Sequence, residues 1–157
     1  MQAQMLAPAA VLVLWTLIVL LWIIPARFGA IAKIEDRSVL AGKQGARGSD
    51  LEGVIPDKAN WPAHNHTHLH EQPTLFYATV LILTVMGPGA LDVTLAWVYV
   101  ALRIVHSLWQ NLVNKVPVRF ALFLASTIAL MVLAALMVLA VRAVMATLLA
   151  DPSALPV

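Results

Sequence analysis

Apolar positions gather into four long runs, Leu6–Ile24, Gln72–Met86, Ala90–Trp109 and Val118–Val141, the last continuing past Arg142 to Ala150. An α-helix needs about 17–25 largely apolar residues to cross the hydrocarbon core of a bilayer. The first, third and fourth runs meet that length, the third with Asp92 and Arg103 inside it. The second is short, and becomes long enough if its helix starts near Ala63 and runs through His64–Glu71. Helices satisfy their own backbone hydrogen bonds, which lipid cannot do for them. The pattern therefore predicts an all-α integral membrane protein: one domain over residues 1–157, folded as an antiparallel four-helix transmembrane bundle. Its helices are expected at about 6–25, 63–86, 90–115 and 117–148.

Punctuation between the runs supports this layout. Gly87-Pro88-Gly89 is a tight, uncharged turn, so helices two and three form an antiparallel hairpin. Pro8 suits a helix start, and Pro25 is placed to kink or end the first helix. The stretch 26–62 contains Gly42, Gly45, Gly48 and Gly53 among charges of both signs and reads as a polar surface loop. The first run lacks a positive flank in Met1–Met5, and Ala26-Arg27-Phe28 is a poor cleavage site, so it reads as a retained helix.

Composition narrows the class. The chain has 157 residues, of which 61% are hydrophobic and 11% charged. Soluble domains run nearer 45–50% apolar and about 25% charged. A soluble chain of this size has too little interior to bury such a surface. This excludes an ordinary soluble domain, a disordered chain and a nucleic-acid-binding module, and makes the lipid bilayer the first partner. With no cysteine, disulfides, thiolate metal sites and a cysteine nucleophile are excluded. Any thiol chemistry must use a thiol brought by a substrate.

The net charge of +2 matters through its distribution. Arg27, Lys33, Arg37, Lys43, Arg47 and Lys58 lie in the first loop, and Lys115 and Arg119 in the third connection. Arg142 is the one basic residue toward the other side. The positive-inside rule then places loops 26–62 and 115–119 in the cytoplasm and both termini outside.

Polar residues at membrane depth are costly, and so mark candidate sites. Tyr99, Arg103, His106, Gln110 and Asn114 repeat at helical spacing and share one face, widened by Ser107 and Asn111. Arg103 needs a partner, and Glu71 on the neighbouring helix is the expected one, within a subunit or across an interface. That pair could simply lock the bundle. Alternatively, Arg103 and Arg119 make an electropositive pocket for a carboxylate or thiolate, for which the guanidinium fork is suited.

The second feature is His64-Asn65-His66-Thr67-His68-Leu69-His70-Glu71, which holds four of the five histidines. Extended, all four would point to one side. In a helix, His64, His68 and Glu71 share a face. Either geometry could hold a divalent metal, but the spacing matches no metal motif such as HExxH, and no physiological metal site is assigned. A polar helix entry at the membrane surface is the plainer reading. Trp15, Trp22, Trp61, Trp97 and Trp109 read as interface anchors or packing residues.

Two stretches resemble a known family. They are Glu71-Gln72-Pro73-Thr74-Leu75-Phe76-Tyr77 and Arg103-Ile104-Val105-His106-Ser107, the latter followed by Asn114-Lys115-Val116-Pro117-Val118-Arg119-Phe120. Together they resemble the membrane-associated proteins in eicosanoid and glutathione metabolism, the MAPEG family, and particularly its bacterial branch. The resemblance implies a four-helix bundle assembled as a homotrimer in the bacterial inner membrane. It also implies glutathione as co-substrate, bound between subunits, and transfer to a lipophilic electrophile or reduction of a peroxide. By correspondence, Glu71, His64, His68, Gln110, Asn114 and Tyr99 would hold glutathione. Glu71 matches the family's Glu, His64 stands where its Arg belongs and His68 where its Asn belongs. Arg119 corresponds to the thiolate-stabilising Arg, with Arg103 a further cation. A nearby cation lowers a thiol pKa, and His106 could take the proton. Two other classes remain open at this stage: a non-catalytic membrane protein whose stripe glues subunits together, and a metal-binding protein built on His64–His70.

Overall fold

The computed structural model describes residues 1–34, 45 and 47–150. Four long helices follow in order: α1 Gln2–Ile31, α2 Asp57–Met86, α3 Ala90–Leu112 and α4 Val116–Ala150, with a short 3₁₀ turn at Gly48–Leu51 before α2. Among the described residues there is no strand. The α2–α3 hairpin forms the middle of the bundle, since both its helices pack on α1 and on α4.

A seven-residue repeat builds the core. α1 buries Met5, Leu12 and Val19, and α2 buries Leu69, Phe76 and Leu83. On α3 the buried series is Tyr99, Arg103, His106 and Gln110, and on α4 Ser126 and Leu133 are fully enclosed. Spacings of seven, or of four and three, keep one seam facing its neighbours when helices cross at a shallow left-handed angle. Outside the seam the bundle shows water or lipid a broad apolar surface, including Leu14, Leu17, Leu21, Ile24, Leu75, Val85, Ile128 and Met131. Exposed apolar area on this scale marks an interaction surface. α1, α3 and α4 are each long and apolar enough to cross a membrane. α2 is not among them, because its first half is polar and its apolar half, 72–86, is short.

The helix ends depart from the expected ones. α1 does not stop near Pro25 but runs to Ile31. Proline costs a helix about one hydrogen bond and some crowding. Here the extension is tied down by Arg27, whose Nε donates to Asn60 Oδ1 at 3.2 Å and Nη2 to the Gly48 carbonyl at 3.0 Å. α2 starts at Asp57 rather than near Ala63, with Pro56 at its N-cap and an acidic residue in its first turn, where the helix dipole favours negative charge. The loop expected over 26–62 is correspondingly shorter. Its stretch with Arg37, Gly42 and Lys43 lies outside the described residues. α3 ends at Leu112, not near Lys115: the amides of Val113 and Asn114 both donate to the Trp109 carbonyl, and Asn114 turns left-handed at φ 53°. Asparagine is among the few residues that adopt this conformation at low cost. At the opposite end, Gly87 ends α2 at φ 87°, and Asp92 Oδ2 accepts from the Gly89 amide at 2.8 Å, starting α3.

Candidate functional site

α2, α3 and α4 enclose a cavity of about 210 Å³ near the α3–α4 turn, lined by His68, Glu71, His106, Val116, Arg119, Phe120 and Phe123. Each element contributes by helical register. His68 and Glu71 share one face of α2 at i, i+3, and Val116, Arg119, Phe120 and Phe123 share one face of α4. His106 faces them from α3. The rings of His68 and His106 lie nearly parallel, with centroids 6.3 Å apart. The cavity thus brings a cation, a carboxylate and two imidazoles together with an apolar wall that includes two phenylalanines.

Arg119 is aimed by Asn114, whose Oδ1 accepts from Nη1 at 2.8 Å. The left-handed turn at Asn114 therefore both ends α3 and sets a cation at the cavity. His106 is 1% exposed and its Nδ1 is buried without a partner among the described residues. Its other nitrogen, Nε2, is the one left to meet a group in the cavity.

Arg103 is not among the lining residues. It lies behind them, almost wholly buried, and Nη2 donates to the His68 carbonyl at 2.7 Å. Within one chain, the Glu71–Arg103 contact gives way to this bond to α2 backbone. Glu52 Oε1 lies 3.0 Å from His64 Nε2, within hydrogen-bond distance. Nε and Nη1 of Arg103 are buried without partners among the described residues. The bond to His68 holds the α2 turn that carries His68 and Glu71.

The remaining expected residues spread out. Tyr99 is buried away from the cavity, stacked on Phe76 at 4.4 Å, with its hydroxyl donating to Gln72 Oε1 at 3.3 Å. Gln110 is buried, with Oε1 unpartnered among the described residues. His64 points to Glu52 on the loop side of the bundle. His66 and His70 pair with each other, ring centroids 4.4 Å apart. The histidine run is thus helical and its rings diverge. Among the described residues no three His, Cys, Asp or Glu are grouped as they would be to hold a metal ion.

Some residues that carry the arrangement were not singled out by the sequence. Asn65 Nδ2 donates to Ser107 and to Asn111 Oδ1 (3.0 Å), pinning α2 to α3, while Trp15 Nε1 adds α1 to the same serine at 2.9 Å. Gln72 Nε2 donates to Thr127 Oγ1 at 2.7 Å, joining α2 to α4. Phe123 became visible only as a wall of the cavity, although its i+4 spacing from Arg119 was an available signal.

These positions bear on identity, since the polar stripe of α3 and the α2 entry converge just where the two recognised stretches lie. A comparison with protein families matches the MAPEG family over residues 5–139. The chain belongs to the MAPEG family. No curated protein and no solved structure matches it. The family match spans all four helices. With three helices able to cross a membrane, it makes the protein an integral membrane protein of the family of glutathione and eicosanoid metabolism.

Proposed function

We propose that the protein is a membrane-bound glutathione-dependent transferase or peroxidase acting on lipophilic electrophiles. The observation that carries this reading is the placement of Arg119, Glu71, His68 and His106 around one cavity with an apolar wall. Family membership supports it. The reading includes a homotrimer in a bacterial inner membrane, with loops 26–62 and 115–119 cytoplasmic, supported by the asymmetry of Lys and Arg.

The residues fit a small acidic thiol peptide. Glu71 offers a carboxylate to an α-ammonium group, and Arg119 a planar fork to a carboxylate or thiolate. His68 adds a hydrogen-bonding imidazole beside Glu71. Glutathione supplies a thiol, whose ionised sulfur forms the new bond to the electrophile while the leaving group departs with its electron pair. A free thiol has a pKa near 8.5, so only a few per cent is ionised at neutral pH. Arg119 raises that fraction by offsetting the charge. His106 accepts the thiol proton at Nε2. Phe120 and Phe123 give the electrophile an apolar surface. Arg103 acts at a distance, as the residue that positions His68. Tyr99, Gln110 and His64 do not line this cavity within one chain; Tyr99 and Gln110 are buried in the bundle, and His64 is the exposed one of the three, available to a neighbouring subunit in a trimer.

Titration calorimetry with glutathione in detergent tests the reading. It predicts binding heat together with thiolate absorbance near the ultraviolet edge, both lost in Arg119→Gln. Absence of both in the wild-type protein sinks it.

A further inference from the structure

A second cavity, of about 540 Å³, opens at the same end of the bundle but between α1, α2 and the end of α3. It is separate from the thiol site, sharing no lining residue with it. Its polar features converge on negative charge. Lys33, just past α1, and Lys58, in the first turn of α2, both line it. The N-terminal turn of a 30-residue helix brings the positive end of the dipole to the same place. Asn111 also lines the cavity: it is 4% exposed, its Oδ1 is taken by Asn65, and its Nδ2 donor has no partner among the described residues. A buried donor without an acceptor costs about 1–3 kcal/mol, so an acceptor belongs there.

The other walls are apolar, with Trp22 and Pro25 of α1 among them. Leu21 and Phe28 share the helical face of Pro25 at i−4 and i+3, and they are 63% and 68% exposed. The exposed apolar stripe of α1 therefore leads to the rim of the cavity. A ligand that suits both parts has an anionic oxygen head and a hydrocarbon tail. We infer that this cavity binds the phosphate headgroup of an acidic membrane phospholipid, with its acyl chains along the outer face of α1. Basic pockets between transmembrane helices suit such headgroups. A free phosphate would satisfy the lysines and Asn111 but leave the apolar rim unused.

Thermal unfolding of the full-length protein in a neutral detergent separates the possibilities. Dioleoylphosphatidylglycerol is added to one sample, dioleoylphosphatidylcholine to a second and inorganic phosphate to a third. The phosphatidylglycerol sample is expected to unfold about 4 °C higher, and the other two within about 1 °C of the untreated protein. Lys33→Gln/Lys58→Gln is expected to lose most of that rise, whereas Arg47→Gln/Lys115→Gln, which removes the same charge elsewhere at this end, keeps it. Asn111→Asp retains the acceptor for Asn65, repels the headgroup and is expected to lose the rise as well. An equal rise with phosphatidylcholine, or an equal rise in both double variants, would overturn the inference. So would an equal rise with inorganic phosphate, which would make the ligand a small anion.

Discussion

Arg119 owes its position to a residue that has already left its helix. Asn114 sits at φ 53° and accepts from Arg119 Nη1. Glycine tolerates that backbone as well as asparagine does, so Asn114→Gly removes the hydrogen bond without disturbing the turn. The expected result is a three- to tenfold fall in glutathione-dependent turnover, the worth of about one hydrogen bond, with the unfolding temperature nearly unchanged. Steady-state assays and thermal melts on the same preparation check both halves. Glu71 is exposed at the cavity mouth, and in the proposed function it binds glutathione. Glu71→Gln is expected to weaken glutathione affinity about tenfold, read by calorimetry, since a charge-assisted hydrogen bond is worth about 1.5–3 kcal/mol.

At the scale of elements, the hairpin turn makes the clearest stability prediction. Gly87 closes α2 at φ 87°, a conformation an L side chain adopts only with strain. Gly87→Ala is expected to cost about 1 kcal/mol, measured as a lower unfolding temperature, with glutathione binding intact because the turn lies at the far end from the cavity. Phe76 is fully buried against Tyr99 at the centre of the seam. Phe76→Ala is expected to cost about 3–5 kcal/mol and to show as loss of folded protein on extraction. Much of this architecture was legible beforehand. Apolar run lengths located four helices, and the spacing of Tyr99, Arg103, His106 and Gln110 marked the buried face of α3. Helix ends were less legible, because the passage of α1 through Pro25 depends on Arg27 reaching Asn60, a contact between segments far apart in the chain. The partner of Arg103 was hidden for a similar reason. One turn of α2 separates the Glu71 carboxylate from the His68 carbonyl, and the packing angle of the two helices decides between them. Asn65 was masked by the histidines around it, although it is the buried polar residue of that run.

For the whole molecule, charge and apolar area divide the surface into zones. The broad exposed apolar belt suits a lipid bilayer, and the polar entry of α2 meets the polar stripe of α3 at one end. Both cavities lie at that end, one suited to a thiol peptide and one to a lipid headgroup. The buried atoms of Arg103, His106 and Gln110 that have no partner among the described residues lie along α3. In the proposed trimer, light scattering in detergent is expected to give three chains per particle.

In the proposed mechanism, Arg119 ionises a bound thiol in the cavity it shares with Glu71, His68 and His106. The most direct measurement is the difference ultraviolet spectrum of the purified protein on adding glutathione at neutral pH, recorded for the wild type, Arg119→Gln and Arg142→Gln. The account predicts a thiolate band in the wild type and in Arg142→Gln, and none in Arg119→Gln. A band of equal size in Arg119→Gln, or no band in the wild type at saturating glutathione, would contradict it.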